Sequence, residues 1–150
     1  MSIVLSKEFV YPVAAVVSTF YLIAWQTVKV SGARKRAQVP YPYLYAEKAD
    51  ASARKEAMVF NCTQRAHQNT LEVYPVIVAA TLIGGLQYPV VSAGLCGAWV
   101  MNRILYTVGY STGDPAKRIS RIGSLFGLAG LGGSLVTATV SVATLLKQVL

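Results

Sequence analysis

Residues 9–30 read FVYPVAAVVSTFYLIAWQTVKV, with Gln26 and Lys29 as the strong polar interruptions. The hydrocarbon core of a bilayer takes about 20 helical residues at ~1.5 Å of rise each. This stretch is long enough to span it. It is too long for the core of a signal peptide, and a basic cluster follows where a cleavage site would be expected, so it reads as a retained anchor. Three further apolar stretches lie at roughly 57–86, 89–112 and 122–146. The last contains GSLFGLAGLGGSLVTATVSVATLL (123–146), has no charge in that run, and places Gly123 and Gly127 at the GxxxG spacing that lets helices approach closely in lipid. The predicted fold class is an all-α membrane protein: a four-transmembrane-helix bundle, with the chain 1–150 as a single domain.

Composition supports that class and excludes others. Of 150 residues, 54% are hydrophobic and 13% charged, and the mean hydropathy is +0.47. Soluble domains carry about 25% charged residues, and disordered chains are poor in apolar ones. The net charge of +8 suggests nucleic acid at first sight, but too little polar surface remains for a soluble basic domain. No nucleic-acid partner is expected. Cys62 and Cys96 make no disulfide framework and lie far from any zinc spacing, so no metal is expected.

The positive charge is better read as topology. Arg34, Lys35, Arg36, Lys48, Arg54 and Lys55 fall between the first two helices, and Lys117, Arg118 and Arg121 between the last two. Positive loops stay cytoplasmic, which puts loops 31–56 and 113–121 on that side and both termini away from it. Residues 37–56, AQVPYPYLYAEKADASARKE, read as an ordered aromatic loop at the headgroup level. The sequon Asn61-Cys62-Thr63 opens the second helix from the cytoplasmic side and so does not read as a glycosylation site.

That second helix begins FNCTQRAHQNTLE (60–72) before turning apolar. Arg65, Asn69 and Glu72 stand at i, i+4 and i+7 and share one face, with Gln68 close by. The third helix carries Arg103, Tyr106 and Tyr110 at i, i+3 and i+7. An ionised side chain near mid-membrane costs about 2.5–3.5 kcal/mol on insertion scales, so both stripes need partners. A zwitterionic, peptide-like ligand would supply them: cations for its carboxylates, Glu72 for its amine, Asn69 for its backbone. A structural ion pair of Glu72 with Arg65 or Arg103 is the competing account. A proton path through His67 and Glu72 is another.

The stretches FNCTQRAHQNTLEVYP (60–75), GARKRAQVPYPYLYAEK (32–48) and NRILYTVGYSTGDPAKR (102–118) resemble the type 3 branch of microsomal glutathione transferases. That branch lies in the family of membrane-associated proteins of eicosanoid and glutathione metabolism. The resemblance spans about residues 25 to 125. It implies a homotrimer of four-helix subunits, with glutathione held between neighbouring subunits near the cytoplasmic face. It places Arg34, Arg65, Asn69, Glu72, Tyr106 and Tyr110 against glutathione and Lys35 on the lipid-substrate side. An ungapped count puts the thiol-activating residue at Lys117, and Pro115 shifts the expectation to Arg118. The related synthase has Tyr directly after its Glu; here Val73 intervenes before Tyr74, and that contact is not carried over.

The implied activity is glutathione transferase with glutathione peroxidase activity. Glutathione is the co-substrate, and lipophilic electrophiles (leukotriene-C-synthase-like chemistry) and lipid hydroperoxides are its partners. The endoplasmic reticulum membrane is the implied location. Cys62 is a rival nucleophile and His67 a rival general base, while Cys96, Trp25 and Trp99 read as packing or lipid-facing residues. Two other classes of function stay open: a non-enzymatic lipid-presenting protein of the same fold, and a small structural or transport subunit.

Overall fold

The computed structural model describes residues 5–150, and every regular element among them is helical. A short 3₁₀ turn, Lys7–Phe9, leads into α1 (Val10–Ala37); α2 (Lys48–Ala53), α3 (Lys55–Gly85) and α4 (Pro89–Tyr110) follow. A 3₁₀ turn over Pro115–Arg118 precedes α5 (Arg121–Gly127), a π-helical turn (Leu128–Gly132) and α6 (Gly133–Val149). Two helical runs, Lys7–Ala37 and Arg121–Val149, are long and apolar enough to cross a membrane. In α3, a polar first half and Pro75 precede the apolar second half.

Three boundaries differ from the sequence expectation, each for a local reason. The first helix continues to Ala37, through the basic cluster expected in a loop. Arg34, Lys35 and Arg36 thus form its last turn, where cations offset the negative end of the helix dipole. Gln38 then takes a left-handed conformation (φ 56°), its N–H meeting the Arg34 and Lys35 carbonyls, and Pro40 follows. The expected loop contains α2, with Arg54 and Asp50 paired at 3.6 Å. The fourth stretch is interrupted by the π turn, in a glycine-rich run. Gly123 and Gly127 are used inside the chain: the Gly123 carbonyl accepts from Asn102 Nδ2 at 2.6 Å, and a Cβ on Gly127 would stand 2.9 Å from that nitrogen.

The long segments pack side by side. α1 lies against α3 and α4, α6 against α3, and α5 with the π turn against α4. Leu22, Ile77 and Trp99 form one core cluster, and Val30, Ala33, Ala37, Val39, Ala46, Ala57 and Phe60 another beneath the α1–α2 connection. Between them sits a polar clasp. Fully buried Gln26 donates from Nε2 to Thr70 Oγ1 at 2.9 Å and to Thr107 Oγ1 at 2.7 Å. Each threonine donates onward to its own helix, at the Ala66 and Arg103 carbonyls. One side chain therefore ties α1, α3 and α4 together, while its Oε1 is left without a partner.

Gln26→Ala is expected to cost about 2–3 kcal/mol, from the cavity and the two lost bonds. Gln26→Leu should cost only about 1 kcal/mol, because it refills the volume and removes the orphaned oxygen. Unfolding of detergent-solubilised protein checks the order; equal losses would contradict it.

Candidate functional site

The polar stripe of α3 forms one connected chain with α4. Arg65 meets Glu72 through two bonds, Nη1 to Oε1 at 2.6 Å and Nη2 to Oε2 at 3.2 Å. Asn69 donates from Nδ2 to Glu72 Oε2 at 3.2 Å and accepts at Oδ1 from Arg103 Nη1 at 2.8 Å. Arg103 also donates from Nε to Asn102 Oδ1 at 2.8 Å. Its guanidinium lies over the Tyr106 ring at 4.6 Å, and Tyr106 meets Tyr110 edge to face with centroids 5.6 Å apart. At the far end Arg118 stands 5.8 Å from the Tyr110 ring centre. Three guanidinium groups, those of Arg65, Arg103 and Arg118, are thus spaced along a chain that holds one carboxylate, Glu72, at the end opposite Arg118, and the stripe carries surplus positive charge suited to an anion.

Exposure decides how to read the ion pair. The Arg65 side chain is 41% exposed and that of Glu72 51%. A charged pair left half open at the helix surface is accessible to a ligand or to a neighbouring chain. Beside the stripe, Asn69, Val73, Trp99, Asn102, Arg103 and Gly127 line part of a cavity of about 270 Å³.

The turn carrying Arg118 is placed by three local devices. Asp114 Oδ1 accepts from the Ala116 N–H at 3.0 Å, and Ser120 Oγ from the Gly123 N–H at 3.0 Å, capping the helical pieces on either side. Gly113 reverses the chain after α4 at φ 85°, where a side chain is strained. Gly109 lets the turn lie on α4: a Cβ there would overlap the Lys117 carbonyl oxygen and stand 3.0 Å from its carbon. Lys117 itself is exposed.

Arg34 and Lys35 stand apart from the stripe within one chain. Arg34 is 9% exposed, sandwiched between Tyr41 and Phe60 at 4.6 Å from each ring. It donates from Nη1 to the Tyr43 carbonyl at 2.7 Å. Lys35 is exposed and shares with Arg34, Ser31 and Tyr41 the lining of a cavity of about 260 Å³. The rivals are less available: Cys62 and Cys96 are buried, and His67 keeps Nε2 buried without a partner. Asn61, the sequon residue, is occupied in the fold, clamping the backbone N–H and C=O of Ala46 at 2.8 and 2.9 Å. Tyr74 points to α1, accepting from Thr19 at 3.2 Å, which explains why it does not extend the stripe.

Sequence reasoning passed over Asn102, which bridges Arg103 to the fourth helical run, and Tyr45. Tyr45 donates to Gln68 Oε1 beside the stripe, although its loop reads as an interfacial belt. Burial pushes the Tyr45 phenol up, with Arg65 opposing and Glu72 adding to the shift. It therefore stays protonated, a donor, at neutral pH.

These features define an all-helical protein of membrane type with a cation-rich polar stripe between two of its helices. The chain belongs to the MAPEG family, whose model matches residues 12–140. The match begins in the first turn of α1 and ends within α6, so it takes in the whole stripe and the turn that carries Arg118. Membership ties the chain to a membrane setting and to glutathione-related or eicosanoid metabolism.

Proposed function

We propose that this chain is a glutathione-dependent membrane enzyme of the type 3 microsomal glutathione transferase kind, joining glutathione to lipophilic electrophiles and reducing lipid hydroperoxides. The observation that carries this reading is the connected chain from Glu72 through Asn69, Arg103, Tyr106 and Tyr110 to Arg118, with three guanidinium groups spaced along it and one half-exposed carboxylate, paired to Arg65, at its end. Such a set suits a zwitterion with two carboxylates. Arg65 and Arg103 attract the carboxylates, Glu72 the ammonium, Asn69 a peptide group, and the phenols of Tyr106 and Tyr110 close the site.

A free thiol has a pKa near ~8.5, so only a few per cent is thiolate at neutral pH. A guanidinium beside the sulfur in a water-poor site lowers that value by about two units, and the thiolate becomes the main form. Arg118 is the residue assigned to that task. The thiol proton leaves to solvent and the thiolate attacks. With an electrophile, a carbon–sulfur bond forms as the carbon's π bond or its bond to a leaving oxygen or halide breaks, and the displaced electron pair takes a proton from solvent or departs as the leaving anion. With a hydroperoxide, sulfur takes the terminal oxygen and releases the alcohol. A second glutathione then displaces water to give the disulfide, so two glutathiones are oxidised for each hydroperoxide reduced.

In the proposed assembly the chain spans the bilayer four times in the endoplasmic reticulum, with both basic connections cytoplasmic. Three copies associate, and the open stripe of one chain meets Arg34 and Lys35 of the next. Arg34 lies too far into its own loop packing to serve the stripe beside it, which supports that division. Lipid substrates enter laterally.

Glu72→Gln is expected to weaken glutathione binding about tenfold or more, because a charge-assisted contact is lost; calorimetric titration of the purified protein checks it. Unchanged affinity would remove Glu72 from the site. The apolar groove of about 430 Å³ between α1 and α4, lined by Leu22, Trp25, Val100 and Ile104, favours a second reading, a non-enzymatic lipid-presenting protein. Fatty-acid binding without glutathione binding would select that reading.

A further inference from the structure

The segment between α1 and α2, residues 38–47, crosses the cytoplasmic half of α3 as a strap. It is held at two places. Arg34 grips the Tyr43 carbonyl, and Asn61 binds both backbone groups of Ala46. Two bonds to a single residue fix the backbone orientation there, and with it the direction of the neighbouring side chain, Tyr45. Of the strap's three tyrosines, Tyr41 and Tyr43 are exposed, whereas Tyr45 is turned inward and half-buried. Its hydroxyl donates to Gln68 Oε1. Gln68 lies three residues after Arg65 and four before Glu72, on the same turns of α3. The phenol lies within charge range of both Arg65 and Glu72.

We propose that Tyr45 is a ligand-contacting residue of this site, carried over the stripe by the strap, and that its phenol O–H passes from Gln68 to a carboxylate of bound glutathione. This inference rests on the glutathione reading above. The exchange is favourable in kind: the Gln68 oxygen is a neutral acceptor, while a carboxylate accepts a shorter and stronger bond. The donor is in the right state, because burial keeps the phenol protonated. The strap is also pre-organised, so little ordering cost accompanies the contact. A latch with no ligand role would instead make Tyr45 a contributor to the stability of the unliganded protein alone.

The test uses the full chain in detergent and compares native protein with Tyr45→Phe, which keeps the ring and its packing. Calorimetry measures affinity for glutathione, for γ-glutamylcysteine, which lacks the glycine carboxylate, and for cysteinylglycine, which lacks the glutamyl one. The thermal midpoint is read without ligand. The expected result is glutathione binding weakened about tenfold to a hundredfold. The loss should vanish for the dipeptide that lacks the contacted carboxylate, and the unliganded midpoint should fall only by the small worth of the Tyr45–Gln68 bond. Native-like glutathione affinity in Tyr45→Phe overturns the proposal, as does equal weakening for all three ligands. If the native protein itself fails to bind glutathione, the underlying reading falls and this inference with it. Native binding with an indifferent Tyr45→Phe sinks this inference alone.

Discussion

Arg118→Ala is expected to remove the near-ultraviolet thiolate band that the proposed function predicts for glutathione on the native protein, and to lower kcat/KM by about 10²–10³. The magnitude is that of losing one pre-organised donor from a developing or resident anion in a water-poor site. Returning the thiol pKa to its free value leaves a few per cent of thiolate at neutral pH, and the remainder of the loss is orientation. Arg118 stacks toward Tyr110 and donates to the Pro115 carbonyl of its own turn, so its stem is already ordered. Lys117 is exposed and its carbonyl faces Gly109. Lys117→Ala should therefore keep both the band and the rate. The opposite pattern, with the band lost in Lys117→Ala and kept in Arg118→Ala, would reverse the assignment. Arg118→Lys adds a finer check: it restores charge without the planar fork, and is expected to recover only part of the rate.

Gly109→Ala is expected to lower kcat/KM by about 10² together with a stability loss of about 1–3 kcal/mol as the turn is pushed off α4. The added methyl overlaps the Lys117 carbonyl oxygen, and that contact is with backbone, which cannot swing aside as a flexible side chain would. The caps at Asp114 and Ser120 hold the turn together, so it shifts as a body and takes Arg118 with it. A misplacement of about 1 Å at a reacting centre costs on the order of 10² in rate. The helix itself gains from the change, since alanine exceeds glycine in helix propensity by about 1 kcal/mol. That gain offsets part of the cost of displacing the turn, so circular dichroism should stay near native and the thermal midpoint fall modestly while the thiolate band weakens. A variant with the native rate would show that the turn's seat on α4 does not position Arg118.

The division between what was readable in the chain and what was not follows particular residues. The α3 stripe is legible because Arg65, Asn69 and Glu72 recur with the helical period, a property of one element alone. The structure keeps all three in one hydrogen-bonded group. The same holds for Tyr106 and Tyr110, which meet edge to face. Arg34 is different. Its number along the chain places it after an apolar span, but its sandwich between Tyr41 and Phe60 joins α1, the strap and α3, and no local pattern encodes that meeting. Gln26 is visible in the sequence as a polar interruption, while its pairing with Thr70 and Thr107 depends on three helices arriving at one level.

By itself, then, the sequence determined the helical class, the apolar lengths, the surplus of cations and the residues that share the α3 and α4 faces. Apolarity and 3.6-residue periodicity are local properties, fixed by each stretch before any two stretches meet. Only the tertiary structure decided that Arg103 bridges Asn69 to Asn102, that Tyr45 turns inward to Gln68, and that the 115–118 turn seats on Gly109 with Arg118 rather than Lys117 directed at Tyr110. Those are choices of partner. A buried or membrane-embedded polar group must find its hydrogen bonds among whatever groups packing brings within about 3 Å, and which groups those are is a property of the assembled helices.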